Sequence, residues 1–155
     1  MAKRTRQPQG RPNRRKLVEL LNEDLAREYQ AIIAYVVYSQ TMKGAPYTDI
    51  ASELETHAAE ELAHALKIAR QIDYFGGMPE VSPKEVKTSE DAKRMLQFDL
   101  ENERLTIQNY RERIRQADAM GEFALSEVLR GIIVQEQEHL QDLSDALGIE
   151  APEIE

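Results

Sequence analysis

The sequence predicts an all-α protein, a four-helix bundle made from two related helical hairpins joined by a longer connection. Three observations carry this. Four stretches of nearly equal length space their apolar residues by three and four, and Gly and Pro punctuate them around 44–46, 76–83 and 121. The second pair of stretches repeats the first at a constant spacing of 75 residues: Leu21/Leu96, Leu25/Leu100, Ile32/Ile107, Ile50/Leu125, Leu54/Leu129, Ile68/Leu143 and Ile72/Leu147. The 155 residues, 41% hydrophobic and 31% charged, suffice for one domain with a buried core and solvated outer faces.

Residues 1–12 form a basic tail without apolar periodicity. The first helix begins at Asn13, a side chain suited to capping, and runs to about Lys43, where Gly44 breaks it. Pro46 fits the first turn of a second helix, which reaches Phe75 and stops at Gly76-Gly77. Residues 76–88 are a linker, with Ser82 and Glu85 spaced as a capping box on one short turn. A third helix is expected from Thr88 or Ser89, with Glu90 and Asp91 at the positive end of its dipole, to about Asp118. After a corner at Gly121 a fourth helix extends to Leu147, closed by Gly148. The bundle thus spans 13–147, and 148–155 are a short tail.

The inward stripes are Leu21, Leu25, Glu28, Ile32 and Tyr35; then Ile50, Leu54, His57, Glu61, His64, Ile68 and Ile72; then Leu96, Leu100, Glu103, Ile107, Tyr110 and Ile114; and last Leu125, Leu129, Ile132, Glu136, His139, Leu143 and Leu147. Polar residues interrupt these apolar stripes near the middle of each helix. They obey the same repeat: Glu28/Glu103, Tyr35/Tyr110, Glu61/Glu136 and His64/His139. Four buried carboxylates without cations cost several kcal/mol each. Two divalent cations balance them, and the two histidines complete a ligand set. Glu61 and His64, like Glu136 and His139, stand at i and i+3 on one helix face and reach the same cluster. One Glu from each of two helices and a Glu-x-x-His from each of the others is the donor pattern of di-iron and di-manganese carboxylate bundles. Oxygen-rich coordination with some imidazole suits iron or manganese.

Tyr35, two turns beyond Glu28, reads equally as a group that hydrogen-bonds a ligand carboxylate or donates an electron and as a plain core aromatic. Tyr110 reads as a core aromatic whose hydroxyl finds some partner. His57 reads as a hydrogen-bonded core histidine, with gating of metal entry as the functional alternative. The chain has no cysteine, which excludes disulfides, zinc–thiolate sites and iron–sulfur clusters. Its formal net charge of −8 disfavours nucleic acid on the body of the protein. The longest apolar run, 31–38, is too short to span a bilayer. Arg14-Arg15 lacks the apolar segment of an export signal behind it, so a cytoplasmic location is expected.

These motifs resemble those of the ferritin-like superfamily, and within it bacterioferritin. The resemblance covers roughly residues 17 to 147: the segment from Glu28 to Tyr35 in the first helix, Glu60-Glu61 to His64 in the second, Asp99 to Glu103 in the third and Glu136 to His139 in the fourth. It implies that Glu28, Glu61, His64, Glu103, Glu136 and His139 bind two irons that react with O2 or H2O2. The expected activity is that of a ferroxidase oxidising Fe2+ for iron storage or detoxification. Bacterioferritin carries a haem-ligating methionine directly after the second-helix glutamate; here that residue is Leu62, so no haem is expected. The family's fifth helix, which closes a large cage, is replaced by a short tail after Leu147, which points to a dimer or a smaller assembly.

Other members of the superfamily supply the alternatives. Rubrerythrin-like peroxidases share both Glu-x-x-His motifs but add a glutamate three residues after the third-helix ligand, where this chain has Thr106 (Ala31 at the matching position of the first helix). A manganese catalase has the same ligand types. The basic residues Lys3, Arg4, Arg6, Arg11, Arg14, Arg15 and Lys16 resemble the N-terminal extensions of DNA-binding mini-ferritins. That resemblance implies DNA binding through phosphates alone, in a non-enzymatic metal- or DNA-binding protein, whereas the residues by themselves read first as a solvated tail.

Overall fold

The computed structural model describes residues 13–155. It contains α1 (Arg14–Thr41), a single 3₁₀ turn (Ala45–Tyr47), α2 (Thr48–Tyr74), α3 (Ala92–Ala119) and α4 (Phe123–Leu147). The Asn13 side chain accepts from the Lys16 amide and starts α1. Gly148, at φ 68°, ends α4 in the left-handed conformation that a side chain disfavours. Helices α1 and α2 form one hairpin and α3 and α4 the other; the hairpins face each other through α1–α3 and α2–α4.

Two apolar clusters lie at opposite ends of the bundle. One joins Leu17, Leu21 and Leu25 to Ile68, Ile72, Ile114, Leu125 and Leu129. The other joins Tyr38, Met42, Ile50 and Leu54 to Ala92, Met95, Leu96 and Leu143. The 75-residue repeat maps one onto the other, Leu21 to Leu96 and Leu54 to Leu129, so the two hairpins bury equivalent stripes. Each fully buried Leu or Ile contributes roughly 1.5–3 kcal/mol. The carboxylates and histidines lie between the clusters.

The long connection follows a different plan from the one expected. Residues 82–85 make no helical turn. The Glu80 carboxylate accepts instead from the amides of Val81 and Ser82, and the Lys84 amide donates to the Ala26 carbonyl. The extended segment runs along α1, bridged by Asn22 to Met78 and Glu80, by Gln30 to Glu85 and by Tyr38 to the Lys87 carbonyl. Helix α3 begins at Ala92, later than expected, because Asp91 acts as its cap, accepting from the Lys93 amide, while Ser89 Oγ accepts from the Asp91 amide. Ile32, Leu100 and Leu147, expected in the core, are only half-buried, while Leu17, Tyr38, Met95, Ala117 and Leu140 are buried in addition.

Of the basic residues, Lys3, Arg4, Arg6 and Arg11 lie outside the described residues. Arg14, Arg15 and Lys16 are in the first turn of α1. Arg14 is engaged there: it donates to Glu122 at 3.1 Å and stacks over the Phe75 ring.

One buried ion pair ties α1 to α3. Arg113 donates to Asp24 at 2.7 and 3.2 Å, and both residues are nearly inaccessible. Burial pushes the Asp24 carboxyl up despite the guanidinium. Substituting Arg113→Leu should therefore cost about 3 kcal/mol, because it leaves Asp24 buried with only the more distant Arg27, at 3.7 Å, to face it. The double change Asp24→Leu/Arg113→Leu should recover most of that loss in a urea melt. Equal losses in both proteins would show that the pair contributes no coupling.

Candidate metal centre

The i, i+3 spacing places Glu61 and His64 on one face of α2, and Glu136 and His139 on one face of α4. Glu28 and Glu103 face them from α1 and α3. All six side chains are buried, none more than 3% exposed. The six converge as two overlapping donor groups. Glu28, Glu61, His64 and Glu136 form one; Glu61, Glu103, Glu136 and His139 form the other, and in each the donor atoms lie within 4.8 Å of one another. Glu61 and Glu136 belong to both.

Each imidazole turns Nδ1 inward. His64 Nδ1 lies 2.7 Å from Glu136, 3.3 Å from Glu61 and 3.8 Å from Glu28. His139 Nδ1 lies 2.8 Å from Glu61, 3.5 Å from Glu103 and 3.9 Å from Glu136. Each Nε2 faces outward to an oxygen acceptor, Gln135 Oε1 for His64 and Glu60 Oε2 for His139. Those acceptors hold the Nε2–H, so that loss of the inner proton leaves the Nδ1 lone pair free to bind, the arrangement of a metal-ligating histidine.

The tyrosines cross between hairpins. Tyr35 donates to Glu103 and Tyr110 donates to Glu28. Tyr110, expected only as a core aromatic, thus has the same role as Tyr35. Burial and the adjacent carboxylates push both phenols well above their ordinary value, so both remain hydrogen-bond donors.

Without a cation this cluster is under electrostatic load. Burial, and then the charges of Glu28 and Glu103, raise the Glu61 carboxyl well above the usual range. Burial and the charges of Glu103 and Glu61 do the same to Glu136. Burial opposes charge on Glu103, but hydrogen bonds from Glu136, His139 and Tyr35 prevail and lower it to about 2. His139 is raised from 6.5 to about 9, its burial outweighed by Glu103, and His64 is raised against its own burial by Glu136, Glu28 and Glu61. Glu28 Oε2, Glu61 Oε1, Glu103 Oε2, both oxygens of Glu136 and His139 Nδ1 face only other members of the cluster, as Glu61 Oε1 faces His139 Nδ1 at 2.8 Å, without a well-aligned hydrogen bond. A buried polar cluster left this incomplete is unusual in a folded protein. Four carboxylates and two Nδ1 donors, with these inward atoms unsatisfied, fit two divalent cations.

His57 is buried beside this cluster, with its ring stacked on His139 at 4.0 Å and Tyr35 edge-on at 5.2 Å. Its Nε2 is 3.1 Å from Asp142, but its Nδ1 has no partner. The expected satisfied histidine is thus only half satisfied. Burial and then His139 lower its pKa. With Glu53 and Asp142 it forms a third, more exposed group of possible donors. All three histidines of the chain therefore lie in one region.

Sequence reasoning missed Asp99, buried in α3 with Oδ2 unpartnered, and the outer acceptors Glu60 and Gln135. Burial and the charge on Glu103 push the Asp99 carboxyl well up. The repeat held the missing signal, since Asp24/Asp99 and Glu60/Gln135 share the 75-residue spacing.

Comparison with known proteins agrees with this geometry. The sequence pattern of the ferritin-like domain matches residues 18–150. The chain is 27% identical over 137 residues to the bacterioferritin of Brucella melitensis, covering 86% of this chain and 84% of that protein. It is also 27% identical to the bacterioferritin of Desulfovibrio desulfuricans, over 81% of this chain and 70% of that one. Among solved structures, a ferritin-like diiron-carboxylate protein of Bacillus anthracis superposes with a TM-score of 0.83 at 35% identity, covering 86% of this chain and 96% of the other. A dodecameric thioferritin, the bacterioferritin-related protein of Bacteroides fragilis, superposes with a TM-score of 0.82 at 30% identity, covering 90% and 89%. With two related hairpins and a carboxylate–histidine layer between two apolar clusters, the chain belongs to the ferritin-like family.

Proposed function

We propose that the protein is a ferroxidase of the bacterioferritin type, which takes Fe2+ as substrate and oxidises it with O2 or H2O2. The observation that carries this reading is the pair of overlapping donor groups sharing Glu61 and Glu136. Two ferrous ions held side by side supply the two electrons that reduce H2O2 to two hydroxides, or O2 with two protons to H2O2, leaving two Fe3+. The chain's own residues prepare for that reaction. Glu61 and Glu136 span both positions, Glu28 and Glu103 close the outer sides, and His64 and His139 supply one nitrogen each. Tyr35 and Tyr110 hold Glu103 and Glu28 by hydrogen bonds and fix their orientation before the ions arrive. The apolar clusters on either side keep bulk water away.

We further propose a homo-oligomer. Ile33 and Val36 on α1 and Leu62 and Leu66 on α2 are exposed apolar side chains at helical spacing, and the Bacteroides fragilis relative is a dodecamer. Leu62 offers no sulfur to a haem iron. Among the described residues no helix is long and apolar enough to cross a membrane.

The test is stoichiometric. Metal-free protein is loaded anaerobically with two Fe2+ per chain and exposed to H2O2 or O2. Oxidant should be consumed in proportion to the iron supplied, with one H2O2 per two Fe2+. Many peroxide turnovers at a fixed complement of two irons, in the presence of an organic reductant, would overturn the ferroxidase reading in favour of a peroxidase.

A further inference from the structure

The 75-residue repeat allows the two halves of the centre to be compared position by position. The inward donors are matched pairwise. The outward surroundings are not. His64 Nε2 meets Gln135 Oε1 at 2.5 Å, whereas His139 Nε2 meets Glu60 Oε2 at 3.0 Å. Gln135 and Glu60 are equivalent by the repeat, so the same place holds a neutral amide on one side and a carboxylate on the other. His57 likewise corresponds to Ile132. The ring stacked on His139 at 4.0 Å therefore has an aliphatic counterpart on the His64 side. The chain keeps its ligands symmetric and differs in what supports them.

We infer that the two ion positions are unequal, and that the position built from Glu103 and His139 binds a divalent transition-metal ion more tightly and fills first. The inference rests on the di-metal reading above. A carboxylate accepting from the outer N–H draws that proton towards itself, which leaves the inner nitrogen more electron-rich and a stronger ligand. An amide oxygen carries no charge and does so less. Such supporting contacts typically change metal affinity about 10–100-fold. Glu60 is partly open to solvent, with 26% of its side chain exposed, which screens its charge but leaves the hydrogen bond intact. The lower end of that range is therefore expected. The flat His57 ring adds to the difference by covering one face of His139 against water.

The experiment uses the full-length metal-free protein, without oxygen, and Co2+ as the probe. Calorimetric titration should show two steps separated about 10-fold. Anomalous diffraction from crystals grown with one equivalent of Co2+ should place the ion beside His139. Glu60→Gln should bring the steps together, and Gln135→Glu should tighten the weaker one. The double exchange Glu60→Gln/Gln135→Glu should reverse the order, placing the first ion beside His64. A merely structural role for Glu60 would loosen both steps without reversing them. Equal occupancy at one equivalent in the native protein would overturn the inference and leave the di-metal reading standing, as would an order unchanged by the exchange. Failure of the native protein to bind any Co2+ would sink both. The native occupancy decides the matter even where a variant does not fold.

Discussion

Replacing Glu61 by alanine should reduce metal binding from two ions per chain to at most one, and should bring ferrous oxidation down to the rate of iron in buffer. The geometry makes this, together with the matching loss of Glu136, the largest single-residue effect at the centre. Glu61 Oε1 lies 2.8 Å from His139 Nδ1 and Oε2 lies 3.3 Å from His64 Nδ1, so one side chain serves both positions. Glu28 and Glu103 each belong to only one donor group. Their alanine variants should weaken one position and spare the other. Two-electron reduction of the oxidant needs both ions at once, and an ion held alone gains nothing from the proximity of a second. Circular dichroism should show an intact bundle, because the apolar clusters on either side do not include Glu61. Retention of two ions by the double variant Glu61→Ala/Glu136→Ala would show that other residues hold them.

The sequence was most informative where one residue type served both the apolar pattern and the chemistry. Glu28, Glu61, His64, Glu103, Glu136 and His139 break apolar stripes at matched points, and the structure brings all six together. Helix ends were legible where glycine or an Asx cap acts locally, as at Asn13 and Gly148. The connection was not. Its capping-box spacing is a local signal, but Lys84 bonds to Ala26 and Gln30 to Glu85, contacts that only tertiary proximity can supply. Asp24, Asp99 and Arg113 escaped notice for a related reason. A lone charged residue on a helix normally faces water, and only the fold shows that Arg113 reaches across to Asp24. Glu60 and Gln135 look like ordinary surface residues beside a ligand. What makes them matter is the direction of the neighbouring imidazole, which periodicity does not encode.

The metal-free protein should be most stable in mildly acidic solution and should lose stability as the pH rises through about 9, whereas divalent ions should reverse that trend. The folded state raises Glu61 and Glu136, chiefly by burial and then by neighbouring carboxylates, and it raises His139 from 6.5 to about 9. A group whose pKa is higher folded than unfolded favours the folded state below its unfolded value. That contribution disappears as the pH climbs through the folded value. All three groups therefore act in the same direction; the His139 contribution is lost by about 9, and His64, raised by Glu136, Glu28 and Glu61, carries the decline to higher pH. Two groups oppose them at the acid end. Glu103, lowered to about 2, stabilises the fold above its ordinary 4.5 and loses that contribution only as the pH falls through 2. His57, lowered by burial and then by His139, resists a proton that the unfolded chain accepts below 6.5. The stability maximum should accordingly lie near 4.5, because above it the two raised carboxyls lose more than His57 gains. Divalent ions must displace the protons held by the cluster, so their binding strengthens as the pH rises. Thermal melts from pH 5 to 10, in chelator and in Mn2+, should diverge steadily, with the Mn2+ curve increasingly above the other. A melting temperature in chelator that is flat or rising between pH 7 and 10 would mean that the buried carboxylates do not hold protons in the folded state. The electrostatic case for two cations would then lose its main support.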